Sequence, residues 1–401
     1  MKTNEYRNIS FSGAYDDGKE LYVSSGLFNG MIRIDKKSKL AKEVKRFDNI
    51  GVLRTGLHNK VHYYKGNVVF CPDNAEGVHV YNIEEDYLKY YDFSCYKKSR
   101  SRCIDSFLNG SKLWLFFAYA EQPLIVFDLE DFTHRAIYWT DGILPKNIID
   151  RKKQILWSRL EIFNRIIYGV IWDSPYIVQF DMDSNEINII SLEDEERRLS
   201  GIATDGETFW LTELRKTHVI KWKPSEKIEV IELKKDHFEL REIVYCEIIY
   251  YEKKVILVPN SGENILYVSS EEEELDIFCK LPENFVKLSD ERKLWRRFFY
   301  HDILENNILR LYPTGVNMMC DINLQNATIE GYEFCLGDDW DEQKYKEYTI
   351  YTNIEEACQG KHLVETKGIG LYSYLECVSN NRKSPQRICN VGSDIYQLCK
   401  N

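Results

Sequence analysis

A short pattern recurs seven times along this chain, and the recurrence constrains its fold more than any other feature. Each copy is an apolar β-type run, usually closing on an acidic or polar residue, then a turn and a second short β run. The copies are Met31–Asp35, Val78–Asn82, Leu124–Asp128, Ile177–Asp181, His218–Trp222, Asn264–Val268 and Asn317–Asp321. Counted at the residue that ends or follows each run (35, 82, 128, 181, 223, 269, 321), the intervals are 47, 46, 53, 42, 46 and 52. Strand-built repeats of roughly 40–50 residues indicate radially repeated four-stranded sheets, the blades of a β-propeller.

Each unit divides into four strands. In the second they read His58–Tyr64, Asn67–Cys71, Val78–Ile83 and Leu88–Phe93, with tight turns at Lys65-Gly66 and at Glu84-Glu85-Asp86. In the third, Asn109-Gly110 separates the first two strands, and such a dipeptide readily takes the positive φ angles of a hairpin turn. The expectation is an all-β propeller over residues 1–336 with seven blades, or six if the first or last unit is a closing strand plus a loop. Residues 337–401 differ in character: an acidic stretch, then two short amphipathic segments, 371–378 and 392–399. They predict a C-terminal helical extension packed on the propeller.

Of the 401 residues, 44% are hydrophobic, enough for a full core, and the formal net charge of −11 argues against a nucleic-acid partner. No apolar stretch reaches the roughly 18 residues of a membrane span, and the N-terminus lacks the apolar core of a signal peptide. The eleven cysteines include no C-x-x-C pair, which suits reduced thiols in a cytoplasmic protein. Phosphate-binding, dinucleotide-binding, nucleophile-elbow and zinc-helix motifs are all missing.

One unit carries a family likeness. Asp205, Gly206, Trp210, Thr212 and Glu213, followed by Thr217–Trp222, resemble a blade of the streptogramin lyase-like propellers over residues 201–234. The resemblance implies a seven-bladed propeller in which the Asp-Gly pair makes a turn and the Trp packs between blades. Those lyases look metal-assisted. Here His58 and His62 form the only close histidine pair, on one face of a strand by their even spacing, and a metal would need a third ligand from another blade. No metal and no cofactor are therefore expected.

Basic residues gather at the connections leading into the first strand of successive units. Arg54, Arg102, Arg159, Arg241 and Arg297 are the candidate ligand-binding side chains, with His58, Asp105 and His301 as candidate acid–base groups. In a propeller these connections share one face around the central channel, where gathered guanidinium groups focus a positive potential despite the acidic whole. The expected function is capture of an anionic small molecule or an acidic peptide at that mouth. A protein-interaction scaffold, and a lyase or hydrolase acting at the same mouth, stand as alternatives. Ordinary solvated loop charges remain the bland reading of the basic residues.

Overall fold

The computed structural model describes residues 9–26, 29–47, 56–96, 102–140, 143–149, 155–156, 160–192, 194–232, 244–260, 262–269, 275–286, 298–304, 306–313 and 316–336. Within them are seven sheets, each built on four antiparallel strands consecutive in the chain, the first of which gains a fifth strand at its edge. The innermost strands are Ala14–Asp16, His58–Tyr64, Cys103–Asn109, Glu161–Phe163, Leu199–Thr204, Tyr245–Tyr251 and Phe298–Leu304. The seven runs that reveal the repeat are the third strand of each blade, from Met31–Asp35 to Met318–Asn323. Alternation explains why they are legible: buried between two blades, they are apolar at most positions, and they end where the chain turns outward.

Seven apolar clusters occupy the seven interfaces between successive blades, so the ring is closed with seven members. The interface between the last blade and the first contains Ile9, Phe11, Leu21 and Val23 against Tyr312, Met319 and Phe334. Polar contacts reinforce it. The Ile9 amide donates to Asn317 Oδ1 at 2.7 Å, and the Ala14 amide to the Tyr312 hydroxyl at 3.2 Å. Arg310, almost fully buried, meets Asp321 through two nitrogens and Asp16 through a third. A last short strand, Cys335–Leu336, pairs parallel with Leu40–Ala41 on the outer edge of the first blade. This strand covers an edge that would otherwise expose unpaired amides.

Helix is nearly absent among the described residues: Lys146–Ile149, residues 283–286 and the single turn Ser94–Tyr96. No helix there is long and apolar enough to cross a membrane. The extension expected over 337–401 lies outside the described residues.

The fifth blade follows its expected turn chemistry closely. Asp205 Oδ1 accepts from the amides of Glu207 and Thr208, and Gly206 takes φ +94° with Phe163 of the fourth blade pressed against the space a Cβ would fill. Any other residue at 206 would meet both the backbone penalty and that ring. Trp210 is buried and stacks on Tyr250 of the sixth blade, 4.9 Å between centroids.

Candidate binding site at the central channel

Five innermost strands carry a register shift near the end where they begin. The breaks fall at His58/Val61, at Cys103 opposite Phe116/Phe117, and at Leu199/Gly201, Tyr245/Glu247 and Phe298/Tyr300. A β-bulge adds a residue, bends the strand and re-aims the side chain that follows. In blades 2, 3 and 6 the residues at the bulge are charged: Lys60, Asp105 and Glu247. Opposite it, the second strand closes on proline in blades 2, 6 and 7, at Pro72, Pro259 and Pro313. Proline has no amide proton for the ladder, so it suits the place where pairing breaks.

These bulged strands bring charges together inside the ring. Lys60 Nζ lies 3.2 Å from Asp105 Oδ1 and 4.9 Å above the ring of Phe107. Asp105 is buried, and its other oxygen accepts from the Leu160 amide at 3.1 Å. Glu161 follows, at the start of the fourth inner strand, with some of its surface open to the channel but protein packed around it. Burial, then the like charges of Asp105 and Glu247, push its carboxyl up to about 8, and Lys60 opposes them. Blades 2, 4 and 6 are not neighbours, so Lys60, Glu161 and Glu247 sense one another only across the axis. The channel thus holds a carboxyl that keeps its proton at neutral pH beside a paired carboxylate and ammonium. No group of three or more His, Cys, Asp or Glu placed to hold a metal occurs among the described residues.

Around the mouth, residues just before an inner strand pair with an aspartate in the turn between the second and third strands of the preceding blade. Arg102 Nε sits 3.1 Å from Asp73, and Arg198 Nε 3.5 Å from Asp173. Burial raises the Asp73 carboxyl, and the Arg102 charge and hydrogen bond only partly offset it. In the fifth blade, Glu213 accepts from Arg197 at 2.9 Å, from His218 Nε2 at 2.7 Å and from the Arg198 amide at 3.2 Å. Burial alone would raise its carboxyl, but these three donors together lower it to about 2.

The sequence candidates fall in three groups. Arg102 and Asp105 are each in an ion pair, Arg102 with Asp73 just ahead of the third inner strand and Asp105 with Lys60 on that strand. His58 is buried between blades 1 and 2, with Nδ1 at 2.8 Å from Ser24 Oγ and Nε2 at 2.9 Å from His79 Nδ1. Burial, then His79, holds its imidazole well below the usual range. His62 turns the other way, 2.9 Å from Ser106 Oγ of blade 3. The expectation that the two histidines share a face is therefore corrected, because the bulge between them breaks the even alternation. Arg54, Arg159, Arg241, Arg297 and the side chain of His301 lie outside the described residues.

Lys60, Asp73, Glu161 and Glu247 escaped the sequence reading. The proline closing the second strand of blades 2 and 6 could have pointed to Lys60 and Glu247, because it marks a bulge opposite, whereas the strand of Glu161 pairs in unbroken register and carries no such mark.

Solved structures share this fold at low identity. A catalytically inactive variant of virginiamycin B lyase from Staphylococcus aureus, with quinupristin, matches at a TM-score of 0.53 and 9% identity, over 78% of this chain and 94% of that one. A streptogramin B lyase matches at 0.51 and 10%, over 78% and 94%. The computationally designed Ika8 protein matches at 0.50 and 9%, over 82% and 89%. At such identities the likeness establishes the fold, and with it the propeller expected from the fifth unit. No protein-family model matches the chain, and no curated protein matches it.

Proposed function

We propose that this chain is a binding propeller that takes an anionic ligand, a small molecule or an acidic peptide, at the mouth of its central channel. The observation that carries the reading is the Arg102–Asp73 pair. Arg102 is held at the mouth by a carboxylate whose charged form burial already disfavours, so an incoming carboxylate or phosphate competes against a weak partner. Guanidinium is suited to such an exchange, since its planar fork donates to two oxygens at once. Lys60 supplies a second cation deeper in, and Arg54, Arg159, Arg241 and Arg297 are proposed as further members of the ring. A cytoplasmic setting fits the reduced cysteines expected from the sequence.

The test is a thermal-shift panel of sugar phosphates, nucleotides, polycarboxylates and acidic peptides at low and high salt. A ligand that binds only the folded chain raises the melting temperature by mass action. Arg102→Ala should abolish the shift, Asp73→Asn should enlarge it by removing one competitor for Arg102, and added salt should weaken it. If no anion shifts the melting temperature, or the Asp73→Asn variant loses the effect, the anion reading fails and a protein-interaction scaffold takes its place.

A second reading, an enzyme at the same mouth, is favoured by Glu161, whose raised carboxyl could donate a proton within reach of the channel. It predicts that Glu161→Gln keeps ligand binding and loses any chemical conversion of the bound compound, followed by mass spectrometry.

A further inference from the structure

The outermost strand of each blade presents an edge at the rim of the ring, and among the described residues the protein guards these edges in all blades but one. Leu40–Lys45 is covered by its parallel pairing with Cys335–Leu336. Tyr87–Asp92, His134–Ile137, Glu229–Ile231, Leu275–Lys280 and Ile329–Glu333 each carry charged residues. Charges on an edge discourage another strand from pairing there, because its approach would strip their water. The outer strand of blade 4, Ile187–Ser191, reads Ile-Asn-Ile-Ile-Ser and has neither a charge nor a covering strand among the described residues.

The register identifies which backbone groups that edge leaves open. The Leu192 amide donates to the Pro175 carbonyl, and the Glu186 carbonyl accepts from the Asp181 amide, each at 3.0 Å. Ladder bonds alternate along an antiparallel strand, so the even-numbered residues turn their backbone inward, toward Tyr176–Asp181. Ile187, Ile189 and Ser191 therefore aim their amides and carbonyls out of the sheet. The isoleucine side chains are engaged within the ring: Ile187 and Ile189 pack against the cluster between blades 3 and 4, and Ile190 against the one between blades 4 and 5. What stays open is a row of backbone groups, and an extended chain is the partner such a row recognises. Cys335–Leu336, paired on the outer strand of blade 1, shows that a rim edge of this ring takes up an added strand.

We infer that Ile187–Ser191 is a strand-addition site for an extended segment of a partner polypeptide with lysine or arginine flanking the paired stretch. The charges around the edge select that partner. Glu186 precedes the strand, and Glu195 and Glu196 follow it, all three exposed. The arginines next to them are engaged elsewhere, Arg197 by Asp194 and Glu213 and Arg198 by Asp173. Two copies of this chain paired antiparallel about Ile189 would set Glu186 of each toward the acidic end of the other. Like charges placed so oppose association, whereas a basic flank is attracted at the same places. The site lies on the rim and does not depend on the anion reading of the channel.

The experiment uses the full chain and three probes. They are acetyl-Lys-Lys-Val-Thr-Val-Thr-Val-Lys-Lys-amide, the same peptide with glutamate for every lysine, and the lysine peptide with its central amides N-methylated. Calorimetry up to about 1 mM peptide gives the affinities, and amide hydrogen exchange resolved to single residues gives the place. The lysine peptide should bind about tenfold or more tighter than the glutamate peptide, and the N-methylated peptide should not bind. Ile187, Ile189 and Ser191 should gain protection that Asn188 and Ile190 do not. Ser191→Pro removes an outward amide at an exposed position and should weaken binding about fivefold or more. Asn188→Lys gives this edge the charge its counterparts carry, should weaken binding likewise, and provides the test if the proline variant does not fold. Glu195→Gln combined with Glu196→Gln should reduce the preference for lysine over glutamate. No binding of the lysine peptide, protection confined to other residues, equal binding after N-methylation, or unchanged affinity in both edge variants would overturn the strand-addition site. Equal binding of the lysine and glutamate peptides would overturn the basic partner. Dimers of the chain alone, with Ile189 already protected, would overturn a separate partner in favour of a second copy.

Discussion

Glu213 and Glu161 are the same side chain in two regions of one ring, and they titrate about six pH units apart. Glu213 ends the second strand of blade 5, where three donors converge on its two oxygens, and its carboxyl falls to about 2. Glu161 faces the channel, where burial and two other carboxylates outweigh one lysine, and its carboxyl rises to about 8. Both lose water on folding, so desolvation does not separate them. The deciding factor is whether the protein supplies donors in place of that water. Blade 5 does so for Glu213, which locks the connection into its inner strand. Among the described residues the channel does not do so for Glu161, which leaves a group whose charge a ligand or a proton can still change.

The contrast can be broken most forcefully at its satisfied end. Glu213→Ala would strand Arg197 and His218 without their shared acceptor and leave the Arg198 amide unbonded. We expect a loss of about 2–3 kcal/mol in urea unfolding, since removing one partner of a buried charged network costs more than the net strength of the network. A loss under about 0.5 kcal/mol would place Glu213 among ordinary surface ion pairs.

At the unsatisfied end the sign reverses. The folded carboxyl of Glu161 titrates above its unfolded value, so the folded chain holds the extra proton between roughly pH 4.5 and 8. The stability tied to that proton is complete below about pH 4.5 and is lost as pH rises through 8. Glu161→Gln, which cannot ionise, should therefore match the parent chain at pH 4 and exceed it by about 1–2 kcal/mol at pH 9. A constant difference at both pH values would show that the carboxyl is not strained.

The buried histidines extend the comparison to a cation, with a smaller effect. Burial lowers His79 to about 3, and its Nε2 has no partner among the described residues. The unfolded chain takes up the proton near pH 6.5 while the folded chain refuses it. Stability is then full above 6.5 and declines toward pH 3, at most about 1.4 kcal/mol per unit for each histidine. His79→Gln should flatten the decline between pH 6.5 and 5 by about 1 kcal/mol, measured as unfolding midpoints across that range. An unchanged slope would mean that the pair opens to water before it titrates.

How much of this was legible beforehand follows the physics of burial. Strands pressed between two blades must be apolar, so Val78–Asn82 and Leu124–Asp128 announce themselves, and glycine at 110 or 206 marks a turn that needs positive φ. The channel charges obey a different rule. Whether Lys60 or Asp105 faces the axis depends on a bulge, and one extra residue reverses the alternation from which a facing is read. That is why His58 reads as a mouth residue and is found in an interface between blades. Glu161 could not be singled out at all, since its raised carboxyl depends on residues 56 positions before it and 86 after it, at Asp105 and Glu247.

The central claim is that charges from non-neighbouring blades meet in the channel without full compensation, and Glu161 reports it most directly. Carbon-13 NMR of the glutamate carboxyls across pH 3–10, with the resonance assigned by its loss in Glu161→Gln, measures that titration. The structure predicts a midpoint near 8, coupled to Asp105 so that Asp105→Asn draws it downward. A midpoint near the ordinary value of about 4.3 would contradict the account, because Glu161 would then be hydrated and its neighbours too distant to act.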